Sequence, residues 1–98
     1  MSSFSGLQRW LQPYASELVR YFPELRITSV RRSRTEQIKL WNTRANNPYP
    51  VAPPGSSYHE YGRAWDMVGD HSRLVAAGRL WRSWGGQWFE ADPIHFQA

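Results

Sequence analysis

Four prolines within seven residues, Pro48-Tyr49-Pro50-Val51-Ala52-Pro53-Pro54, limit how this chain can fold more than any other feature. Each proline fixes φ and deletes a backbone donor, so neither a helix nor an inner strand runs through them. The stretch from Asn46 to Gly55 is therefore a stiff connecting loop, and regular structure has to be assembled on either side of it. On the N-terminal side Leu7, Leu11, Tyr14, Leu18 and Phe22 recur at helical spacing. Pro13 should kink that helix or restart it near Gln12, and Pro23 should stop it. Leu25-Arg26-Ile27-Thr28-Ser29-Val30 alternates apolar and polar residues as a strand does. Thr35 to Trp41 then reads as a second helix, opened by the capping-box spacing Ser33-x-x-Glu36.

Beyond the loop, Gly62 to Met67 reads as a strand with Gly62, Ala64 and Asp66 on one face and Arg63, Trp65 and Met67 on the other. Asp70 is an N-cap for a third helix from about His71 to Trp84, which makes His71 a helix-start residue. Gly85-Gly86 ends that helix, and Gln87–Glu90 and His95–Gln97 follow as short strands around a turn at Asp92-Pro93. This order predicts one α+β domain over residues 1–98, with helices packed on a small, mainly antiparallel sheet.

The 98 residues include no cysteine, which excludes disulfides and thiolate chemistry. A bound metal would help a domain this small hold one conformation. No apolar run is long enough to span a bilayer, and Met1-Ser2-Ser3-Phe4-Ser5-Gly6 lacks the basic start and apolar block of a secretory signal. Membrane insertion is not expected. The net charge of +4 favours polyanionic surroundings. Only Arg31-Arg32-Ser33-Arg34 forms a basic cluster, however, so no nucleic-acid partner is expected.

His59 and Asp66 lie seven positions apart, and His95 follows far downstream. Two imidazoles and one carboxylate make a ligand set for zinc that leaves one position open. At an open position a water can be acidified into a nucleophile near neutral pH. The spacing is too long for adjacent turns of one helix. It fits His59 on a loop or strand end, Asp66 on the strand and His95 on a neighbouring strand, with Gly62 and Ala64 leaving room beside Asp66. Asp92, three residues before His95, could act as a general base without being a ligand. The plainer reading keeps Asp66 as a strand-end residue and both histidines as satisfied, partly buried groups.

Ser57-x-His59-x-x-Gly62-x-Ala64-x-Asp66, followed by Asp92-x-x-His95-Phe96, closely resembles the signature of a family of zinc peptidases. Its members are D-alanyl-D-alanine carboxypeptidases and dipeptidases and phage L-alanyl-D-glutamate endolysins, which act on bacterial cell-wall peptides. Ile27-Thr28-Ser29-Val30-Arg31-Arg32-Ser33-x-x-Glu36-Gln37-x-x-Leu40 is similar to the family's first segment, and Trp84-Gly85-Gly86-Gln87-Trp88-Phe89 to its phage-type members. The resemblance implies the hedgehog/DD-peptidase-like fold, with Zn2+ held by His59, Asp66 and His95. It also implies that Asp92 is the catalytic acid/base, that Arg32 stabilises the oxyanion, and that Ser57 and Gln37 line the substrate site. Two departures stand out: many members carry glutamate where Asp92 stands, and Val30-Arg31 replaces a glycine-tyrosine pair. Arg31 thus competes with Arg32 for the role, and the register favours Arg32.

The expected activity is a zinc metallopeptidase, carboxypeptidase or endopeptidase, that hydrolyses D-residue-containing peptides of peptidoglycan. Such a protein is expected to be monomeric, and to work on the cell wall from the cytoplasm of an infected or lysogenic bacterium or from a virion. The alternative is a non-catalytic, zinc-stabilised cell-wall-binding module. Trp84 and Trp88, on either side of Gly85-Gly86, are the candidates for a substrate groove.

Overall fold

Pro13 opens a helix near Gln12, the restart that was one of its two expected effects. Helix α1 spans Gln12–Tyr21 with the proline in its first turn, where its missing N–H goes unused. The computed structural model describes residues 4–98, and residues 4 to 11 lead into α1 through turns. Strand β1 (Arg26–Ser29) and helix α2 (Arg34–Asn42) follow. At the start of α2 the Ser33 hydroxyl accepts from Glu36 N at 3.1 Å, and the Glu36 carboxylate accepts from Ser33 N at 3.0 Å. This is the reciprocal pair of a capping box. Past the proline loop come a short 3-10 turn (Tyr58–Tyr61), strand β2 (Ala64–Val68), helix α3 (His71–Ser83) and strand β3 (His95–Gln97).

Among the described residues the architecture is α+β: three α-helices and a three-stranded antiparallel sheet in the order β1-β2-β3. Alternation along the strands sorts two faces. Trp65 and Met67 of β2 and Phe96 of β3 turn into the core, where they meet Ala15 and Leu18 of α1 and Leu74, Ala77 and Trp81 of α3. Trp65 is the centre of this cluster. It stacks on Phe96 at 5.5 Å between ring centroids, and meets Phe4 at 5.4 Å and Trp81 at 5.0 Å edge to face. Truncating a core aromatic of this kind removes roughly 3–5 kcal/mol. The opposite face of β2 and β3 carries Asp66 and His95, which are direct cross-strand partners. Ser29 of β1 pairs with Asp66 from the other side, after a register shift between Ile27 and Ser29.

The segment Gln87–Glu90 departs from the expected strand. It makes a single bridge, Gln87 to Gln97, because Trp88 turns inward: it is 2% exposed and its indole donates to Pro93 O at 2.9 Å. Trp88 reaches that position by lying over Gly78 of α3. A Cβ on Gly78 would sit 2.1 Å from the indole. Gly78→Ala should therefore destabilise the fold even though alanine is the better helix former by about 1 kcal/mol. Overpacking at such a site costs about 1–3 kcal/mol. Thermal unfolding should show a melting temperature several degrees lower, and an unchanged or higher value would mean that Trp88 does not rest on Gly78.

Candidate metal centre

The proline loop delivers His59 into a turn that is tied at several points. Ser57 caps it: its hydroxyl accepts from His59 N at 3.3 Å, while the Glu60 carboxylate accepts from Ser57 N at 3.3 Å. Glu60 is buried, accepts from Gly55 N at 2.8 Å, and pairs with the Arg34 guanidinium of α2. Burial alone would raise the Glu60 carboxyl, but the hydrogen bond from Arg34 and those from Gly55 and Ser57 outweigh it and lower the pKa. Gly62, at φ 66°, ends the turn in the left-handed region. Arg32 N donates to His59 O at 3.0 Å, joining the turn to the chain just beyond β1. Gln37, fully buried, donates to Ala52 O at 2.8 Å and accepts from Arg32 Nη1 at 2.9 Å. Its side chain thus links α2, the loop and Arg32.

His59 Nε2 lies 3.1 Å from Asp66 Oδ1, and His95 Nδ1 lies 3.3 Å from the same oxygen. Counting protons shows what this arrangement requires. His59 Nδ1 faces Val30 O at 2.7 Å, and a carbonyl can only accept, so the ring proton sits there. His95 Nε2 faces Gln97 Oε1 at 2.6 Å, and with that amide oxygen as the acceptor the His95 ring proton sits on Nε2. Two neutral imidazoles then turn bare lone pairs toward an ionised carboxylate. Either each ring takes up a second proton, or a cation lies among the three groups. Ligand atoms about 2.0–2.2 Å from a tetrahedral ion lie roughly 3.3–3.5 Å from one another. The separation of 3.3 Å falls within that spacing and the one of 3.1 Å just below it, and all three ligand atoms lie within 4.8 Å of one another. His59, Asp66 and His95 could therefore hold a metal ion.

The titratable groups of the site shift one another. Burial by itself would raise the Asp66 carboxyl, yet its hydrogen-bond partners His59 and His95 hold it far below the usual range. Burial opposes charge on His95, but the hydrogen bonds to Asp66 and Gln97 outweigh it and raise its pKa. Burial also pushes the Asp92 carboxyl up; His95 opposes the shift and the Asp66 charge adds to it.

The cluster opens into a cavity of about 550 Å³, whose lining includes Arg32, Gln37, Ser57 and Asp92. Asp92 stands outside the converging ligand atoms but on the same cavity, whereas Glu90 does not line it. Arg32 Nη2 is 3.5 Å from Asp66 Oδ2, while Arg31 is exposed and off the cavity. Ser57 both lines the cavity and caps the His59 turn. Other expected features fall elsewhere. Trp88 is in the core, and Trp84 rims a separate groove with Trp10 and Tyr14; Tyr49, Tyr58 and Phe89 are the aromatic residues that line the cavity at the cluster. Gly62 and Ala64 make no room for a substrate, since the Gly6 carbonyl fills the space beside Gly62 and Ala64 is fully buried against β3. Glu60 and Gln97 were not evident as site residues. The Ser57-x-x-Glu60 spacing, identical to Ser33-x-x-Glu36, was the available signal for Glu60. Gln97 stands two residues from His95 on a strand, hence on the same face.

No family model and no curated protein matches the chain. The site's supports can be tested directly. Glu60→Ala leaves the Gly55 and Ser57 amides and the Arg34 guanidinium without their acceptor. Loss of about 1–3 kcal/mol in urea unfolding is expected. Stability within a few tenths of a kcal/mol of the unaltered protein would mean that Glu60 does not hold the loop.

Proposed function

We propose that this protein is a zinc-dependent peptidase of bacterial peptidoglycan, acting on peptides that contain D-residues. The observation that carries this reading is the pair of imidazoles whose far nitrogens are committed as donors while their near nitrogens face one carboxylate oxygen. A nitrogen-rich set with one carboxylate and no thiolate suits zinc, and three protein ligands are the number used at catalytic zinc sites. The α+β arrangement is compatible with a DD-peptidase-like fold, and the ordered motifs around His59, Asp66 and His95 resemble that family's signature.

Zinc bound there would lower the pKa of a water and polarise a peptide carbonyl. The residues around it supply the rest. Asp92, with its pKa raised by burial, is suited to take a proton from the attacking water and return it to the departing amine. Arg32, held by Gln37 at 2.9 Å and by Ser29 Oγ at 3.2 Å, would offer a fixed positive charge to a peptide carbonyl oxygen that becomes negative. Ser57 and Gln37 line the cavity in which the peptide would lie.

Digestion of purified peptidoglycan by the zinc-loaded protein should generate new peptide termini, which mass spectrometry identifies. Zinc binding with no new termini would favour the wall-binding module instead. Asp92→Asn should keep stoichiometric zinc yet lose about a hundred- to ten-thousand-fold in rate, since that is what a positioned acid/base supplies. A variant within a few-fold of the parent would exclude Asp92 from proton transfer. Arg32→Lys keeps the charge but loses the planar fork, so the rate should fall sharply with zinc content unchanged. Arg31→Lys should be close to silent, and an exchange of these two effects would assign the role to Arg31.

A further inference from the structure

The two histidines present opposite ring nitrogens to Asp66, Nε2 from His59 and Nδ1 from His95. On His59 the choice is made by main chain, through the Val30 carbonyl. On His95 it is made by a side chain, Gln97. A carboxamide has two faces with opposite effects. Its oxygen keeps the ring proton on Nε2 and leaves Nδ1 bare for a metal. Its amino group would donate to Nε2, drive the ring proton to Nδ1 and close that nitrogen to a metal.

Gln87 is the partner on the other side of the Gln97 amide. Gln97 Nε2 donates to Gln87 Oε1 at 2.7 Å, which turns the Gln97 oxygen toward His95. Gln87 is held in register by reciprocal main-chain bonds with Gln97, at 2.8 and 3.2 Å. The Trp81 indole of α3 also donates to Gln97 O, at 2.8 Å. We propose that Gln97 is a positioning residue that selects Nδ1 of His95 as the metal-binding nitrogen, and that Gln87 sets the polarity of the Gln97 amide. Gln97 acts through His95: it lies on the wall of the cavity but is not among the three converging ligand groups. The inference rests on the metal reading given above. Partners of this kind around metal-bound histidines are worth about 10–100-fold in metal affinity.

Three single variants and one double variant test it, with zinc affinity measured by competition against a chromophoric chelator. The nitrogen of His95 that binds is identified by NMR of protein labelled with 15N-histidine. Gln97→Met removes the acceptor at similar length and should weaken zinc about 10–100-fold. Gln97→Glu keeps an acceptor whose two oxygens are equivalent, and should hold zinc within a few-fold of the parent through Nδ1. Gln87→Met, at an exposed position, should weaken zinc by a few-fold in the parent and have no effect in the Gln97→Glu background. That loss of coupling is what a merely structural role would not produce. If Gln97→Met does not fold, the Gln87→Met pair carries the test. A parent that binds zinc, with Gln97→Met or Gln87→Met binding equally well through Nδ1, overturns the relay and leaves the metal site standing. A parent that binds no zinc overturns both.

Discussion

One carboxylate oxygen, Asp66 Oδ1, is shared by two imidazole nitrogens, and much of the fold serves to bring them there. In water three such groups would stay apart. Here β2 and β3 pair Asp66 directly with His95, while the capped turn at Tyr58–Tyr61 brings in His59. Arg32 adds its charge 3.5 Å from the second Asp66 oxygen. With Asp66 and Asp92 ionised and Arg32 charged, the site carries a net charge of about −1 before either histidine is protonated. A divalent cation would reverse that sign and meet the lone pairs of both rings. Partial burial strengthens each of these interactions relative to water.

The same centre depends on polar groups in unusual positions. Helix α2 buries no large apolar residue; its buried side chain is Gln37. Its attachment therefore rests on hydrogen bonds to Arg32 and to the proline loop. Glu60 does the equivalent work at the loop's exit. Buried polar groups that are fully partnered specify one arrangement, because losing any partner leaves a donor or acceptor stranded. The aromatic core on the other face of the sheet supplies the apolar burial. Metal bound only by the folded chain would add to stability by mass action.

The helices and the three paired strands were legible in the sequence because their signals are local: apolar spacing, proline and glycine stops, and the Ser33-x-x-Glu36 cap. Asp66 and His95 were legible as neighbours because strand alternation fixes which face each occupies. What stayed hidden depends on contacts across the fold. Gln87–Glu90 has strand-like residues, yet Trp88 is drawn into the groove above Gly78, and nothing near it in sequence announces that partner. Gly62 and Ala64 looked like open space, but distant segments fill it. Arg31 and Arg32 are adjacent and alike; only the chain's course past β1 separates the exposed one from the one beside Asp66. Gln97 became meaningful once its oxygen was found against His95.

The central claim is that a metal ion belongs among His59, Asp66 and His95. Anomalous diffraction at the zinc edge from crystals of the zinc-loaded protein tests it most directly. The expected result is one peak per chain, within about 2.0–2.2 Å of His59 Nε2, Asp66 Oδ1 and His95 Nδ1. A peak elsewhere, or none while the three side chains stay joined by hydrogen bonds alone, would contradict it.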